Sequence, residues 1–499
     1  MQFLPSRRLV LSAGLAAALP LRASADDRRI TSSVLLEDAR VFQRAYESLH
    51  PGLLRYATAG EMAERFAALR AFLSQPRTLG ETHLAFARFA ASVRCGHSFL
   101  NPTNQTGAAS SLISGGRTRL PFHFRWIDGR MIVDGSPTSD PVLKPGTEIL
   151  SIGSIPCTAL LLDLLPLAHA DGHNEAARIR QMEIRGDPEW NAFDIYLPML
   201  HSNMLADGFA KLTTKQPTSG RDQSLQVSLI TQSERAGAAG AGVGPSTGSD
   251  PIWQIEHLAR GGAWLPMPSW AVFDSKSDWR GALNTIMDDL AADGCRTLVV
   301  DLRGNAGGLN VGDVILSRLI QRDRAKIEYR RQVRYRSTPS DLNPYLKTWD
   351  ASFRDWGAQA VGPDSDGFYS LDRASDAGQV DTIRPYGRRF TGRLIAIVDA
   401  SNSSATFGFA QTVKTLGLGT LVGQPTGGSR RGINGGAFFF LRLPGSGLEI
   451  DIPLIGYFPV SSQPDEGIKP DIAVTVAASD LTHGIDAERN AALRLATAL

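Results

Sequence analysis

Apolar and polar positions recur with two different periods along this chain, and the change from one to the other divides it. Between 27 and about 108 the spacing is helical. Met62, Phe66, Leu69 and Leu73 fall three and four residues apart within 61–74, and Phe86, Phe89 and Val93 do the same within 81–93, so each segment predicts a helix burying one stripe. From about 115 to 168 the period shortens. Apolar runs at 122–126 and 131–133 flank Asp128-Gly129, a strong hairpin signal, and 143–153 leads into an apolar stretch at 160–167. The segment 170–250 carries less pattern: a strand at 225–230, then a glycine- and alanine-rich run at 235–245 with the composition of a flexible loop or linker. Beyond Trp253 strands and helices alternate, with strands expected at 263–267, 297–300 and 394–398 and helices at 279–292, 311–320 and 405–416, the last stopped by Gly417 and Gly419. That order predicts an α/β layer whose sheet is at least partly parallel.

Length and charge narrow the picture little. At 499 residues several domains are expected, and a formal net charge of +2 with no block of like charge implies neither nucleic acid nor an anionic membrane as partner. The first 25 residues differ in kind. Arg7 and Arg8, an apolar run to about Leu21 and Ala23-Ser24-Ala25 read as a signal peptide, so the protein is expected to be periplasmic or secreted. Residues 6–11, SRRLVL, resemble a bacterial twin-arginine signal, with an ordinary secretory signal as the alternative. No later run reaches about 18 apolar residues, so no membrane span is expected in the mature chain. Cys95, Cys157 and Cys295 are too few and too widely spaced for a disulfide framework or a cysteine zinc site, although one bridge stays open. No HExxH motif or cluster of histidines and acids suggests a metal, and no cofactor is expected.

Candidate chemistry concentrates at two strand ends. The turn 399–404, DASNSS, sets a serine at the start of a helix, where unpaired N–H groups and the helix dipole favour an attacking oxygen and a developing oxyanion. Serine is also a favoured cap, so Ser401, Ser403 or Ser404 could equally serve the helix itself. The run 298–308, LVVDLRGNAGG, ends a buried strand in a glycine turn whose N–H groups can face a ligand. A phosphate cradle is the rival reading, but no Gly-Lys-Ser or Gly-Lys-Thr follows, and the dinucleotide-binding spacing is absent.

Four elements occur in order: DLRGNAGG at 301–308, SSAT at 403–406, VGQPTGG at 422–428 and GIKPDI at 467–472. Together with 143–153, which resembles part of a PDZ domain, they resemble peptidase family S41, the tail-specific or C-terminal processing proteases, over roughly 90–475. The resemblance implies an α/β core of ClpP/crotonase-like layers joined to an N-terminal helical domain and a PDZ-like domain. The boundaries expected are 1–25 signal peptide, 26–110 helical domain, 111–190 PDZ-like domain, 191–255 connecting segment, 256–480 peptidase core and 481–499 C-terminal helix. By similarity Ser404 is the nucleophile, with an oxyanion hole from the Ala405 N–H and a glycine N–H of Gly307 or Gly308.

One branch of the family uses a lysine directly after a T-x-G run as base. Here Thr426-Gly427-Gly428 is followed by Ser429, Arg430 and Arg431, and arginine, with a pKa above about 12, cannot accept the proton. Lys414 lies about three helical turns beyond Ser404, too far to reach it. A second branch uses a histidine in a G-H-T or G-H-S run far upstream, which Gly96-His97-Ser98 matches. His97 is therefore the expected base, with an unperturbed imidazole pKa of about 6.5 suited to the task. That branch places its acid shortly before the G-I-x-P-D element. Glu466 is the choice, with Asp465 or a carboxylate elsewhere such as Glu449 as alternatives. The expectation is a serine endopeptidase acting on peptides or proteins. The rivals are an inactive relative that binds peptides or other ligands, and a serine hydrolase of esters or lactams.

Overall fold

The computed structural model describes residues 28–137, 143–186, 190–239, 253–273, 275–371 and 382–498. The expected signal peptide and most of the glycine-rich run lie outside the described residues.

Three helices, Ser32–Leu49, Ala59–Leu73 and Leu79–Ser92, open the described chain. The second and third start with a full capping box, Thr58 with Glu61 and Thr78 with Glu81, which satisfies two end groups at each N-terminus. Their apolar stripes meet in an aromatic knot: Phe42 lies 5.1 Å from Phe86 and 5.0 Å from Phe89, and Phe66 lies 4.5 Å from Phe89. The third helix stops where Arg94 takes a left-handed φ of 59°, turning the chain sharply into Gly96-His97.

The expected hairpin pairs His123–Ile127 with Arg130–Gly135. Asp128 and Gly129 both have positive φ, 51° and 74°, as a two-residue turn between twisted strands requires. Glu148–Ile152, Ile155–Pro156, Phe209–Lys215 and Asp222–Ser228 complete a six-stranded antiparallel sheet, and the helix Cys157–Leu164 packs against it. The sheet therefore takes two strands from the stretch read as a connector. Phe209–Lys215 buries only Ala210, Leu212 and Thr214, too little apolar character to stand out as a strand.

The α/β layer is a six-stranded sheet in the order Ile472–Ala473, Thr420–Gly423, Arg393–Val398, Thr297–Asp301, Gly262–Pro266, Glu256–Leu258, parallel except for the last edge strand. One face is covered by Trp279–Ala292, Gly312–Leu319 and Ser404–Leu416, and the other receives Ala491 and Ala492 of the C-terminal helix Ala487–Thr497. Burial on both faces explains why these strands read as unbroken apolar runs. A third sheet, built on the long hairpin of Asn434–Arg442 and Glu449–Pro459, shares one hydrophobic core with the three opening helices and the antiparallel sheet. All three cysteines are unpaired.

Candidate active site

Arg393–Val398 and Thr297–Asp301 are neighbours in parallel, with Ile397 opposite Asp301, so the serine turn and the glycine turn leave the sheet side by side. In open α/β sheets ligands gather at such carboxyl ends. The helix after the serine turn starts at Ser404, and its N-cap residue, Ser403, makes no side-chain capping bond. Ser404 itself holds a left-handed φ of 50°, a conformation that costs a non-glycine residue about 1 kcal/mol or more. A serine held there at the tip of a strand–turn–helix has the geometry of a nucleophile elbow, which no capping role requires.

Gly307, at φ 106°, runs against that turn. A Cβ there would lie 2.8 Å from Ser404 Cβ and 3.0 Å from the Ala405 nitrogen, and one on Gly308 would strike the Trp270 carbonyl at 2.1 Å. Only glycine fits at either position. The Gly307 N–H donates to Asn305 Oδ1 at 2.9 Å, whereas among the described residues the Gly308 and Ala405 N–H groups meet no protein acceptor. Three buried polar side chains hold this region: Asn305 ties the glycine turn to the neighbouring strand end, and Asn402 and Thr406 bind the two turns together. Asn305 donates to the Met267 carbonyl at 2.7 Å; Asn402 donates to the carbonyls of Leu302 and Asn305 at 2.6 and 3.0 Å; Thr406 donates to the Asn305 carbonyl at 2.9 Å. Asp399, also buried, accepts from the Ser401 N–H at 2.9 Å and faces Arg185 at 3.4 Å.

His97 belongs to a separate construction. The Gly96 N–H donates to Asp171 Oδ1 at 2.9 Å, His169 Nδ1 lies 2.8 Å from the Gly96 carbonyl, and the His50 ring is 2.8 Å from Ser98 Oγ. Asn434 bonds Cys95 Sγ at 3.2 Å and accepts from Arg55 at 2.9 Å, tying the loop to the long hairpin. A Cβ on Gly435 would lie 4.0 Å from the His97 ring, and the Phe438 ring centre lies 5.7 Å from it. Among the described residues, His97 Nδ1 and Asp171 Oδ2 are both buried without a hydrogen-bond partner. Burial holds the His97 imidazole below its ordinary pKa, with the Asp171 carboxylate opposing the shift. Burial in turn raises Asp171, against the pull of His97 and the Gly96 N–H. No hydrogen bond joins His97 to Ser404.

The acids expected from the sequence stand elsewhere. Glu466 pairs with Lys469 at 2.7 Å and Arg430 at 3.7 Å on a partly exposed surface, and Glu449 pairs with Lys347 at 3.1 Å. Asp465 accepts from Ser429 Oγ at 2.8 Å and contacts His173 Nδ1 at 2.6 Å. Ser429, at the position of the lysine in the other branch, is thus part of a latch that closes the segment around His173 onto the segment before Gly467. Lys414 is committed to Asp471 at 2.9 Å and to the Lys469 carbonyl at 2.6 Å. Asp171 was not singled out from the sequence. Its only signal was a local crowding of His169, Asp171 and His173 in a stretch with little other pattern.

Residues 263–474 match the family model of peptidase family S41. The chain carries an S41 peptidase domain. Such a domain is that of a serine peptidase, and the match takes in Gly307, Gly308, Ser404, Ala405, Asp465 and Glu466 while ending short of His97 and Asp171. No curated protein matches the chain. Among solved structures, mature CPAF complexed with lactacystin is 13% identical with a TM-score of 0.61, covering 93% of this chain and 97% of that one. Mature CPAF on its own is 13% identical with a TM-score of 0.59, at 93% and 96% coverage. A photosystem II D1 C-terminal processing protease is 13% identical with a TM-score of 0.42, at 88% and 93% coverage. The likeness to CPAF extends the shared fold from the S41 domain through the N-terminal half that carries His97.

Proposed function

We propose that the protein is an exported serine endopeptidase in which Ser404 attacks a peptide carbonyl. The observation that carries this reading is the left-handed backbone of Ser404 pressed against Gly307, with the Gly308 and Ala405 N–H groups left without protein acceptors beside it. Two such donors suit the oxyanion of a tetrahedral intermediate, and the commitment of the Gly307 N–H to Asn305 favours Gly308 as the glycine donor.

In this reading His97 takes the Ser404 proton as the seryl oxygen bonds to the carbonyl carbon. It returns the proton to the leaving amine as the C–N bond breaks, and water then hydrolyses the acyl-enzyme by the same route. Asp171 is the acid we assign to His97, in place of Glu466. It is buried, anchored to the backbone next to His97, and carries an unpartnered oxygen. Glu466 is already neutralised by Lys469 and Arg430. The arginine-pair signal sequence supports action outside the cytoplasm.

The missing hydrogen bond between His97 and Ser404 favours a second reading, an S41-like protein that binds peptides without cleaving them. Catalytic hydrogen bonds often tighten only when substrate is bound. A fluorophosphonate probe separates the two. Labelling that disappears in Ser404→Ala supports the peptidase, and well-folded protein that stays unlabelled from pH 6 to 9 supports the binder.

A further inference from the structure

A file of aromatic rings leads away from His97 to the surface. Phe438 lies 5.7 Å from the His97 ring, Trp349 lies 5.7 Å beyond Phe438, and Phe440 and Phe353 flank Trp349 at 5.7 and 5.6 Å. Trp349 is 60% exposed, although an indole is among the side chains that gain most from burial. Along the strand Asn434–Arg442, Phe438 and Phe440 stay partly open while Ala437, Phe439 and Leu441 are buried, so the open face is the one that carries the aromatic file. The neighbouring strand Leu346–Lys347 pairs only with Leu441 and Phe440. Among the described residues the outer edge of 435–439 therefore has no strand beside it, at the point where Gly435 approaches His97. Gly435 itself is buried against the His97 ring, and the next residue along the strand, Gly436, is exposed.

We propose that Trp349, Phe438 and Phe440 form a subsite for one bulky apolar side chain, preferably aromatic, of an extended peptide whose scissile bond lies at Ser404. The inference rests on the reading of Ser404 and His97 as the reacting pair. Continuity with His97 selects this occupant: two ring-to-ring steps of 5.7 Å carry the file at most about 11 Å from the imidazole, which at about 3.3 Å per residue keeps the bound side chain within about three residues of the scissile bond. Aromatic rings presented edge and face to such a side chain add geometric preference to the burial of apolar area. An aspartate placed there would lose hydration with no opposite charge among the rings to replace it.

The test uses the full mature chain and internally quenched peptides that carry Phe, Leu, Ala or Asp in turn at each of the three positions on either side of the cleaved bond. At one position Phe is expected to exceed Ala by about tenfold or more in kcat/KM, mainly through KM. Trp349→Ala should cut that ratio to about twofold, and Trp349→Phe should restore most of it, which a loss of folding would not do. Equal cleavage of Phe and Ala peptides at every position, or an unchanged ratio in Trp349→Ala, overturns the subsite while leaving the peptidase reading intact. Failure of the wild type to cleave any peptide or take the fluorophosphonate overturns the peptidase reading instead. The subsite is then judged by calorimetry on Ser404→Ala: tighter binding of the Phe peptide that is lost on adding Trp349→Ala supports it, and equal binding overturns it. A wild-type dimer that Trp349→Ala converts to monomer, with peptide selectivity unchanged, would assign the rings to a second copy of the chain and also overturn the proposal.

Discussion

The serine half and the histidine half of the candidate site are built by different means. Ser404, Ala405, Gly307 and Gly308 sit on two adjacent parallel strands of one sheet, and the turns that carry them are joined by Asn305, Asn402 and Thr406 within about 100 residues of sequence. His97 sits on a loop held from three directions by Asp171, His50 and Asn434, the last of them 339 residues away from Cys95. The first half is a local, buried, polar-stitched unit. The second exists only when the opening helices, the segment around Asp171 and the long hairpin have assembled. Chemistry should therefore be lost sharply and locally on the serine side, and by degrees on the histidine side.

The largest expected effect is that of Ser404→Ala. Loss of the nucleophile should lower kcat by about 10⁴-fold or more on any cleavable peptide. Alanine occupies the left-handed position no worse than serine, so the thermal midpoint should stay within a degree or two. Retained activity with an unchanged midpoint would move the nucleophile elsewhere. Next comes Asn305→Ala, which leaves the Gly307 N–H and the Met267 carbonyl buried without partners. Unsatisfied groups of this kind cost about 1–3 kcal/mol each, so denaturant unfolding should show a loss of about 3 kcal/mol together with loss of activity. A stable but inactive Asn305→Ala would show that the stitching serves geometry alone.

This contrast also sets how much could be read without coordinates. The strand and helix around Ser404 were legible because an apolar run, a polar turn and a helix stop lie consecutively, and the helix expected at 279–292 is the helix observed, Trp279–Ala292. The glycine turn was legible because two consecutive glycines after a buried strand have few other uses. The choice of Gly308 over Gly307 was not, since it depends on which N–H the Asn305 side chain has taken. His97 stood out as a candidate through its neighbours in a motif, but Asp171, the acid proposed for it, lies 75 residues from Gly96 in a stretch without periodicity, and no spacing rule connects them. Of the two strands at 209–228, the second was read in part, as 225–230, while Phe209–Lys215 was missed for a related reason. Its inward residues include Ala210 and Thr214, and the sheet it joins is completed by strands far upstream.

On the histidine side, Asp171→Asn should lower kcat/KM by about 10- to 100-fold, less than loss of the serine, because the imidazole keeps its position through the backbone. The pH profile gives the sharper reading. Burial already holds His97 below its ordinary pKa, so the acid limb of kcat/KM should fall below the pH of a free imidazole. The Asp171 carboxylate opposes that shift, and its removal should move the limb to still lower pH. Asp171→Glu should recover part of the rate, whereas Glu466→Gln should leave the limb in place. A limb that moves with Glu466 and not with Asp171 would return the acid to the segment before Gly467.

The smallest effect tests the backbone of the serine half. If Ser404 is held at φ 50° by the packing of Gly307 against it, the strain is carried by residue 404 whatever its side chain, provided that side chain has a Cβ. Alanine keeps the strain and glycine relieves it, since glycine enters the left-handed region without a steric penalty. Ser404→Gly should thus be more stable than Ser404→Ala by about 1 kcal/mol, against the usual loss on placing glycine in a helix. The two variants are equally devoid of a nucleophile, so the difference isolates conformation from chemistry. A glycine variant less stable than the alanine variant would mean that residue 404 relaxes into ordinary helical geometry in solution. The hydroxyl would then sit at a plain helix start, and the capping role that the sequence left open would account for it.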